Sequence, residues 1–545
     1  RSTLAVYAAM IPVWWLKEHP LCDDQHIVDL IAPPDRYTHG LNPPAETGAV
    51  VVCPARYYTP AEVNELIAPL PWVVLILTSD EESTFDATAV QHPNVRLWVM
   101  TPRPDRTYPG RTRFIGEGFN AATRPTLAGI GNRDRTTDVY LAGQNTHTRR
   151  RELFKTLDGS PRGWSRDVTA TPGFMQGHDR TEYLARMAQA KVAPCPSGPA
   201  TPDSFRLYEA LEAGCVPLAD MTAPGAYPER GDWDMVLPGA PFEQVAYWHE
   251  VEKYVAAALH GWSRNAAECQ AWWVRHKRRM ALDLLDDVAE VSGLPAPTRG
   301  VDDTVTVLMP TSPIPSHPSL DIITETVASV RDRLPGAEIL VMADGVADHL
   351  APRTRDYHEY LRRLAWECNH VWSGVTPFLF DTHTHQVGMT RRVLDEVRTP
   401  LVLFVEHDTP LIGDVDWVGC ARAVLSGATN LIRFHHEASV LEPHKHLMVD
   451  DVPRLVEGVP LLRTVQWSQR PHLAATGVYR TWLDARWWRD SDGMIEDRMF
   501  GVVENDWLQH HDPGRFRLTM YAPEGDIKRS THLDGRGTDP KVIEL

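Results

Sequence analysis

A single stretch, residues 194–217, brings together side chains suited to binding an anion. A loop rich in proline and glycine leads to Asp203 and Ser204, and the pattern then predicts a helix that carries Arg206 and Glu209 one turn apart. Unpaired backbone N–H groups and a partial positive charge make the N-terminus of a helix a good binding site for phosphate. Arg206 adds a fixed cation, and Glu209 could accept hydrogen bonds from a ribose. The stretch therefore predicts a site for a nucleotide phosphate.

Three consecutive arginines, Arg149, Arg150 and Arg151, follow Gly143 at the predicted start of another helix. Cations at a helix N-terminus oppose the helix dipole unless an anion is bound there. The segment is therefore either a solvated helix start or a phosphate clamp beside the same cleft. We take Arg149 and Arg151 as the candidate donor-binding residues of this segment.

Two carboxylates follow a strongly apolar run in the second half of the chain. The run Leu401–Val405 predicts a buried strand, and Glu406 and Asp408 come directly after it. Open α/β sheets bind ligands at the carboxyl ends of their strands. Carboxylate oxygens suit Mg²⁺ or Mn²⁺, either of which can bridge a diphosphate. His532 or His510 is a candidate for a third metal ligand, since histidine is a common one.

Histidines are also clustered nearby, and they allow two interpretations. His383 and His385 have the His-x-His spacing of metal-dependent hydrolases, and His444 and His446 repeat that spacing. A zinc site needs three or four ligands that converge in space, which the sequence alone does not establish. The alternative interpretation is that these histidines line the acceptor or metal region of another kind of site or are surface histidines.

The elements that must position these residues alternate along the chain. Short apolar runs at Leu4–Met10, Ala49–Cys53, Trp72–Thr78 and Val95–Met100 predict strands, with helical segments between some of them. A second set of strands and helices begins at Thr137. Such alternation favours parallel sheets with helical crossovers. We expect the helical, Trp-rich stretch that follows, at about 241–291, to pack across both sets.

A new domain is predicted after residues 292–303, which contain two prolines and two glycines and have no apolar period. The runs Thr304–Met309 and Glu338–Met342 then predict two strands, and the second of these is followed by Asp344. A helix is predicted at Met389–Val397, after Gly388 and before the strand that ends in the two carboxylates.

Length and composition limit the possible classes of protein. A chain of 545 residues is long enough for more than one domain, and 43% hydrophobic with 23% charged residues is typical of a globular protein. The net charge of −17 argues against a broad nucleic-acid footprint, and no apolar run reaches the roughly 18 residues of a membrane span. Seven cysteines without C-x-x-C pairs fit reduced thiols in a cytoplasm. Only eight of the 55 basic residues are lysine, a bias that suggests a GC-rich genome, as in an actinobacterium or its phage.

Residues 194–217 resemble the nucleotide-sugar motif of exostosin-like glycosyltransferases, which have the GT-B fold. The shared pattern is a proline-rich turn followed by Asp-Ser-x-Arg, Glu-Ala-Leu and Ala-Gly-Cys-x-Pro. The resemblance implies two Rossmann-like domains and a donor site that needs no metal. It implies donor contacts from four side chains of this stretch: Asp203, Ser204, Arg206 and Glu209.

Residues 401–408 are similar to the strand and DxD motif of GT-A glycosyltransferases, with Glu406 in place of the first aspartate. The order of the preceding elements also fits this family. In the family, an acid after the second strand contacts the base or ribose of the donor, and the resemblance gives that role to Asp344. Arg391, in the helix before the triplet, is a further candidate for donor binding.

A second motif supports the same resemblance further along the chain. Ser491–Phe500 resembles the downstream Glu-Asp motif of inverting GT-A enzymes, in which an aspartate deprotonates the acceptor hydroxyl. Asp497 is accordingly the candidate general base, and Glu496 is the second candidate. A general base also needs reach and a suitable pKa, which the sequence does not reveal.

These resemblances imply an α/β chain in which a GT-B half is followed by a GT-A half. Residues 1–132 would be the acceptor subdomain of the GT-B half, and residues 133–291 its nucleotide-sugar subdomain with a crossing helix. Residues 292–303 would be the linker. Residues 304–545 would be the GT-A domain, with a Rossmann-like nucleotide-sugar region and a mixed sheet.

The implied function is that of a bifunctional glycosyltransferase. It would transfer sugars from UDP- or GDP-sugar donors to hydroxyl groups of a glycan, glycolipid or protein acceptor, with inversion at the second site. The second half would hold Mn²⁺ or Mg²⁺ through Asp408, Glu406 and His532, and the first half would need no metal. Three alternatives stay open: catalysis by one half with the other as a binding scaffold, a phage enzyme that glycosylates DNA bases, and a zinc-dependent hydrolase.

Overall fold

The computed structural model divides into two compact units. The first unit comprises Arg1–Pro297 and Ala365–Val371, and the second comprises Thr298–Leu364 and Trp372–Leu545. The structure describes residues 10–16, 28, 31–32, 36–41, 47–173, 176–224, 233–293, 300–484, 493–510, 515–534 and 541–542. The predicted strand at 4–9, residues 294–299 of the predicted linker and residues 491–492 of the Glu-Asp motif lie outside these ranges. The finer predicted domain boundaries stay predictions.

The first unit begins with a sheet of six parallel strands in the order β2-β1-β3-β4-β5-β6. The strands are β1 (Ile11–Trp15), β2 (Tyr37–Leu41), β3 (Ala49–Pro54), β4 (Val73–Thr78), β5 (Val95–Met100) and β6 (Thr112–Ile115). Its helices include α1 (Pro60–Ile67) and α2 (Thr123–Ile130). Strands β3 and β4 are buried along their whole length, as their unbroken apolar sequences require in a parallel sheet covered on both faces.

A second parallel sheet of five strands, in the order β11-β10-β9-β7-β8, belongs to the same unit. The strands are β7 (Thr137–Gln144), β8 (Arg166–Thr171), β9 (Ala190–Cys195), β10 (Val216–Asp220) and β11 (Glu243–Val245). The helices between them are α3 (Thr148–Asp158), α4 (Arg180–Met187), α5 (Phe205–Glu212) and α6 (Trp233–Val236). The predicted alternation of strands and helices is therefore confirmed in both sheets.

The Trp-rich stretch after β10 is less uniform than its sequence predicts. Residues 243–245 form β11, and the helical part is divided into α7 (Val251–Leu259) and α8 (Trp262–Ser292). The break falls at Gly261, which has a φ of +69°, a conformation that glycine adopts without strain. Helix α8 contacts β4 and β5 of the first sheet and β10 of the second, so it crosses both sheets.

The second unit contains a mixed sheet of nine strands in the order β14-β13-β12-β15-β19-β16-β20-β18-β17. The strands are β12 (Val305–Thr311), β13 (Glu338–Ala343), β14 (Val375–Leu379), β15 (Leu401–Phe404), β16 (Leu431–Arg433), β17 (Arg454–Val456), β18 (Val459–Arg463), β19 (His472–Ala475) and β20 (Leu518–Tyr521). Strands β12 to β15 are parallel to one another, and β19 joins β15 antiparallel. The carboxyl ends of β12, β13, β14 and β15 therefore meet at one edge.

The described residues of this part of the chain also form six α-helices and a short strand pair. The helices are α9 (Asp321–Arg331), α10 (Thr354–His370), α11 (His385–Leu394), α12 (Trp417–Leu425), α13 (Thr476–Asp484) and α14 (Ile495–His510), and the strands are β21 (Leu533–Asp534) and β22 (Lys541–Val542). The prediction of a helix at 389–397 is wrong in its bounds, since α11 starts four residues earlier and includes Gly388. The carboxylate of Asp344 accepts the backbone N–H groups of Thr384 and His385, which starts the helix there.

Two general features of the sequence have structural counterparts. No helix in the described ranges is both long and apolar enough to cross a bilayer. The six cysteines within those ranges are free and buried.

A buried carboxylate of α8 anchors this helix to the first sheet, and this contact yields a prediction. Asp287 accepts hydrogen bonds from Trp98 Nε1 at 2.9 Å and Arg113 Nε at 2.8 Å. Asp287→Ala would leave these donors without their partner, and we expect a loss of about 3 kcal/mol in the free energy of unfolding. Glu290, on the same helix, also pairs with arginines, but its side chain is 50% exposed.

Glu290→Ala is therefore the matched control, because an exposed pair contributes less than about 1 kcal/mol. Urea unfolding of both variants measures the difference. Equal losses of unfolding free energy in the two variants would contradict the idea that burial makes the Asp287 contacts stronger than those of Glu290.

Candidate functional site

A cavity of about 360 Å³ opens at the carboxyl edge of the mixed sheet in the second unit. Residues after β12, β13 and β15 form its walls together with the start of α11. Four residues predicted from separate parts of the sequence line this cavity: Asp344, Glu406, Asp408 and His532. The fold therefore brings together side chains that are up to 188 positions apart in the chain (532 minus 344).

Glu406 carries the most strongly perturbed carboxylate of the cavity. Burial raises its pKa to about 8, and the nearby carboxylates of Asp408 and Glu496 act in the same direction. Gln386 Nε2 donates a hydrogen bond of 2.9 Å to Glu406 Oε1, which supplies a neutral partner and no positive charge. Gln386 thus orients the carboxyl group of Glu406 without supplying a counter-charge.

Asp408 has cationic or potentially cationic neighbours and behaves differently. Burial opposes its ionisation, but His407 and His532 outweigh it and hold the pKa of Asp408 below its usual value. His532 Nε2 lies 3.3 Å from Asp408 Oδ2. His532 therefore lies next to the carboxylate pair, and its role as a third metal ligand stays a prediction.

The chemistry of this pair fits a hard divalent cation. Mg²⁺ is commonly held by one or two protein carboxylates, with substrate phosphates and water as the remaining ligands. Burial and the neighbouring carboxylates of Asp408 and Glu496 raise the pKa of Glu406, and a bound cation could replace the proton that this favours. Within the described ranges, no group of three or more His, Cys, Asp or Glu side chains has a geometry that could hold a metal. The metal site stays a prediction that rests on Glu406 and Asp408.

Asp344 is buried at the end of β13, and it supports the turn that leads into α11. Its Oδ2 lies 2.7 Å from His383 Nδ1 and accepts the backbone N–H of His385 at 3.1 Å. His383 and His385 line the cavity, with their ring centroids 5.1 Å apart. These histidines thus belong to the same site as the two carboxylates, as one of the two interpretations of their sequence expects.

The two predicted bases differ in exposure. Glu496 is half-buried in the first turn of α14, and its Oε2 accepts the backbone N–H of Gln469 at 3.0 Å. Its charge contributes to the elevated pKa of Glu406. Asp497, the first candidate from sequence, is exposed. Arg391 donates to the backbone oxygen of Leu483 at 2.7 Å and is not part of the cavity wall.

Arg206 lies at the carboxyl edge of the second sheet in the first unit. Its guanidinium donates to the backbone oxygen of Ala142 at the end of β7. A Cβ atom on Gly143 would lie 2.2 Å from Arg206 Nη2, so a glycine is needed for this close approach. Arg206 Nε and the hydroxyl groups of Ser197 and Ser204 are buried without a hydrogen-bond partner among the described residues. Buried polar groups of this kind are available to a polar ligand.

Of the three consecutive arginines, the middle one faces Arg206. Burial lowers the pKa of Arg150 to about 10, and the charge of Arg206 acts in the same direction. Arg149 is instead paired with Asp220, whose carboxylate is fully buried and accepts from Arg149 Nε at 2.7 Å. Arg151 is exposed. Sequence reasoning did not select Arg150, although its place at a helix start was the relevant signal.

Of the remaining predicted donor residues, Asp203 and Glu209 have protein partners, whereas the hydroxyl of Ser204 has none among the described residues. Asp203 Oδ2 accepts the backbone N–H of Glu117 at 3.0 Å and the hydroxyl of Tyr208 at 3.1 Å, and burial raises the pKa of Asp203 to about 6. Glu209 Oε2 accepts the hydroxyl of Tyr183 at 2.9 Å. Ser204 occupies the N-cap position of α5, but its side chain makes no capping hydrogen bond.

Comparisons with known proteins give weak matches. No protein-family model matches the chain, and no curated protein matches it. A putative glucose-1-phosphate thymidylyltransferase from Bacillus anthracis in complex with a sucrose is 10% identical over 42% of this chain and 89% of its own, with a TM-score of 0.26. S. aureus TarS 1–349 is 14% identical over 42% of this chain and 59% of its own, with a TM-score of 0.25. A CMP:2-keto-3-deoxy-manno-octonic acid synthetase complexed with CTP is 11% identical over 41% of this chain and 93% of its own, with a TM-score of 0.24. Similarities of this size do not establish a shared fold.

The pKa of Glu406 leads to a prediction about pH. Between the unperturbed value of 4.5 and about 8, the folded chain holds a proton that the unfolded chain has released. The stabilisation is therefore complete below pH 4.5 and is lost as the pH rises through about 8. We expect the metal-free protein to lose stability relative to Glu406→Gln over this range, measured as urea midpoints at several pH values. Glu524→Gln, at an exposed position, should keep the wild-type dependence.

The pairing of Arg149 leads to a second prediction. Arg149→Ala would leave the buried Asp220 carboxylate without its cation, and we expect a loss of about 3–5 kcal/mol in the free energy of unfolding. Arg151→Ala, at an exposed position, should change it by no more than about 0.5 kcal/mol. Urea unfolding compares the two variants. Similar values for both would contradict a structural role for Arg149.

Proposed function

We propose that the second unit is a metal-dependent glycosyltransferase that uses a nucleotide-sugar donor. The supporting observation is that Asp344, Glu406, Asp408 and His532 line one cavity at the carboxyl edge of parallel strands. This edge is where open α/β sheets bind their ligands. The acceptor is a hydroxyl group of a glycan, glycolipid or protein.

In this proposal the diphosphate end of the donor lies at the end of β15, where the two carboxylates would hold a divalent cation. Asp408 and Glu406 hold Mn²⁺ or Mg²⁺, which when bound neutralises the charge of the leaving diphosphate. Glu496 takes the proton from the acceptor hydroxyl, because it is half-buried and close enough to influence Glu406, whereas Asp497 is exposed. Neither of the two is part of the cavity wall, so the acceptor would lie beside the cavity. This choice reverses the order that the sequence suggests. Transfer proceeds with inversion, since the base acts directly on the acceptor.

We further propose that the first unit is a second glycosyltransferase, of the metal-independent kind. Arg206 and Arg150 lie close enough for one charge to lower the pKa of the other, which favours a bound anion between them. The unsatisfied hydroxyl groups of Ser197 and Ser204 provide further donors for phosphate oxygens. Together these groups stabilise the departing nucleoside diphosphate. Glu209 is the candidate partner of the ribose.

The release of nucleotide from a panel of UDP- and GDP-sugars, with Mn²⁺ or with EDTA, tests both proposals on the full chain. We expect Asp408→Asn and Glu496→Gln to lower kcat of the Mn²⁺-dependent turnover by about 10²-fold or more. Arg206→Ala and Arg150→Ala should lower the EDTA-resistant turnover to a similar extent, because each removes a cation that stabilises the leaving group.

Arg355→Ala is the control, since its side chain is 93% exposed. A loss with Asp497→Asn and none with Glu496→Gln would reverse the assignment of the base. Complete loss of turnover in EDTA would mean that only the second unit is catalytic. If the chain turned over none of the sugar nucleotides in the panel, both proposals would be contradicted.

A further inference from the structure

The carboxylate of Asp344 has no hydrogen-bonding capacity left for a ligand. Its Oδ1 accepts the backbone N–H groups of Gly345 at 2.9 Å and Thr384 at 2.7 Å. Its Oδ2 accepts the backbone N–H of His385 at 3.1 Å and lies 2.7 Å from His383 Nδ1. Two donors on each oxygen use the roughly four lone-pair positions of a carboxylate. Asp344 therefore fixes the turn at 383–385 and cannot also bind a base or ribose without giving up one of these bonds.

The two histidines held by this turn have complementary hydrogen-bonding ends. His383 Nδ1 donates to Asp344, so that in the neutral ring Nε2 is an acceptor. His385 Nδ1 accepts the backbone N–H of Gln386 at 3.1 Å, so that its Nε2 carries the proton and is a donor. The ring centroids are 5.1 Å apart. The two residues, which both line the cavity, thus carry one acceptor and one donor.

The backbone of this turn is held in an unusual conformation. His385 has a φ of +59°, a left-handed value that residues with a Cβ adopt rarely and at a cost. A Cβ atom on Gly345 would lie 2.2 Å from the backbone carbon of Thr382, so the turn is packed directly on the end of β13. Strained residues of this kind persist where the surrounding structure holds them, and they cluster at ligand sites.

The cavity is polarised along the sheet edge. Glu406 and Asp408 follow β15, whereas Asp344 and the two histidines lie at the end of β13. One strand, β12, separates β13 from β15, which places the two ends of the site about 10 Å apart. The residues Pro313, Ile314, Leu350 and Met389 add apolar wall area.

We propose that His383 and His385 bind the nucleobase of the donor and that Asp344 is a positioning residue that holds them. This inference rests on the proposed function of the second unit, in which the diphosphate lies at Glu406 and Asp408. The edge of a nucleobase places a hydrogen-bond donor next to an acceptor, which matches the pair of imidazole Nε2 atoms. Its faces suit the apolar wall. The histidines therefore contribute to the choice of nucleotide.

Calorimetric titration of the full chain with UDP, GDP and inorganic pyrophosphate tests this assignment. Each titration is made with Mn²⁺ and with EDTA, and the Mn²⁺-dependent binding is compared. We expect His383→Phe and His385→Asn to weaken binding of the preferred nucleotide about tenfold and to leave pyrophosphate binding unchanged. Asparagine is used at 385 because it tolerates the left-handed conformation.

Two further variants separate positioning from general damage. Asp344→Asn should weaken nucleotide binding like the histidine variants, and combining it with His383→Phe should add little, since both act through one contact. His446→Phe is the matched control: it removes an exposed histidine of the other His-x-His segment and should leave both affinities unchanged.

The outcomes distinguish this inference from the proposed function. Wild-type nucleotide affinity in His383→Phe and His385→Asn would overturn the inference alone. An equal loss of pyrophosphate and nucleotide affinity in these variants would also overturn it, because the histidines would then act on the diphosphate end. Failure of the wild-type chain to bind either nucleotide or pyrophosphate with Mn²⁺ would overturn the proposed function of the second unit.

Discussion

Like charges held close together in partly dry surroundings constrain both sites. At the end of β15, the half-buried Glu406 lies near Asp408 and Glu496, and its pKa rises to about 8. At the start of α3, the half-buried Arg150 lies near Arg206, and its pKa falls to about 10. Each arrangement costs free energy that a ligand of opposite charge would return. The signs differ, which agrees with the proposals of a bound cation in the second unit and a directly bound anion in the first.

The protein treats other buried charges differently, which makes this contrast informative. Arg149 is one residue from Arg150, yet it is neutralised by the buried carboxylate of Asp220. Glu406 instead receives a hydrogen bond from the neutral amide of Gln386, and Glu496 one from the backbone of Gln469. Neutral donors orient a carboxyl group without supplying a counter-charge. The surroundings therefore distinguish Arg149, whose charge is paired within the fold, from Glu406, whose partner Gln386 is neutral.

The sequence predicts the framework of these sites better than their details. Continuous apolar runs identify β3, β4 and β15, because strands buried on both faces need them. The segments that carry Asp344, Glu406, Asp408 and His532 are each recognisable, and the edge of one parallel sheet brings them together. The sequence does not reveal that the carboxylate of Asp344 has all its hydrogen-bond positions filled, because its partners at 384 and 385 come from a turn 40 residues away. The same contacts move the start of α11 away from its predicted position.

Helical phase explains why neighbouring candidate side chains differ in exposure in both units. One step along an α-helix turns the side chain by about 100°, so neighbours in sequence face different surroundings. In α14 this step separates the half-buried Glu496 from the exposed Asp497, and in α3 it separates Arg150 from the exposed Arg151. The phase is set where each helix begins and by contacts such as the bond from Ile495 N–H to Gln386 Oε1, 109 positions apart. A motif can therefore identify the turn of helix that faces a ligand, whereas distant residues decide which of its side chains does so.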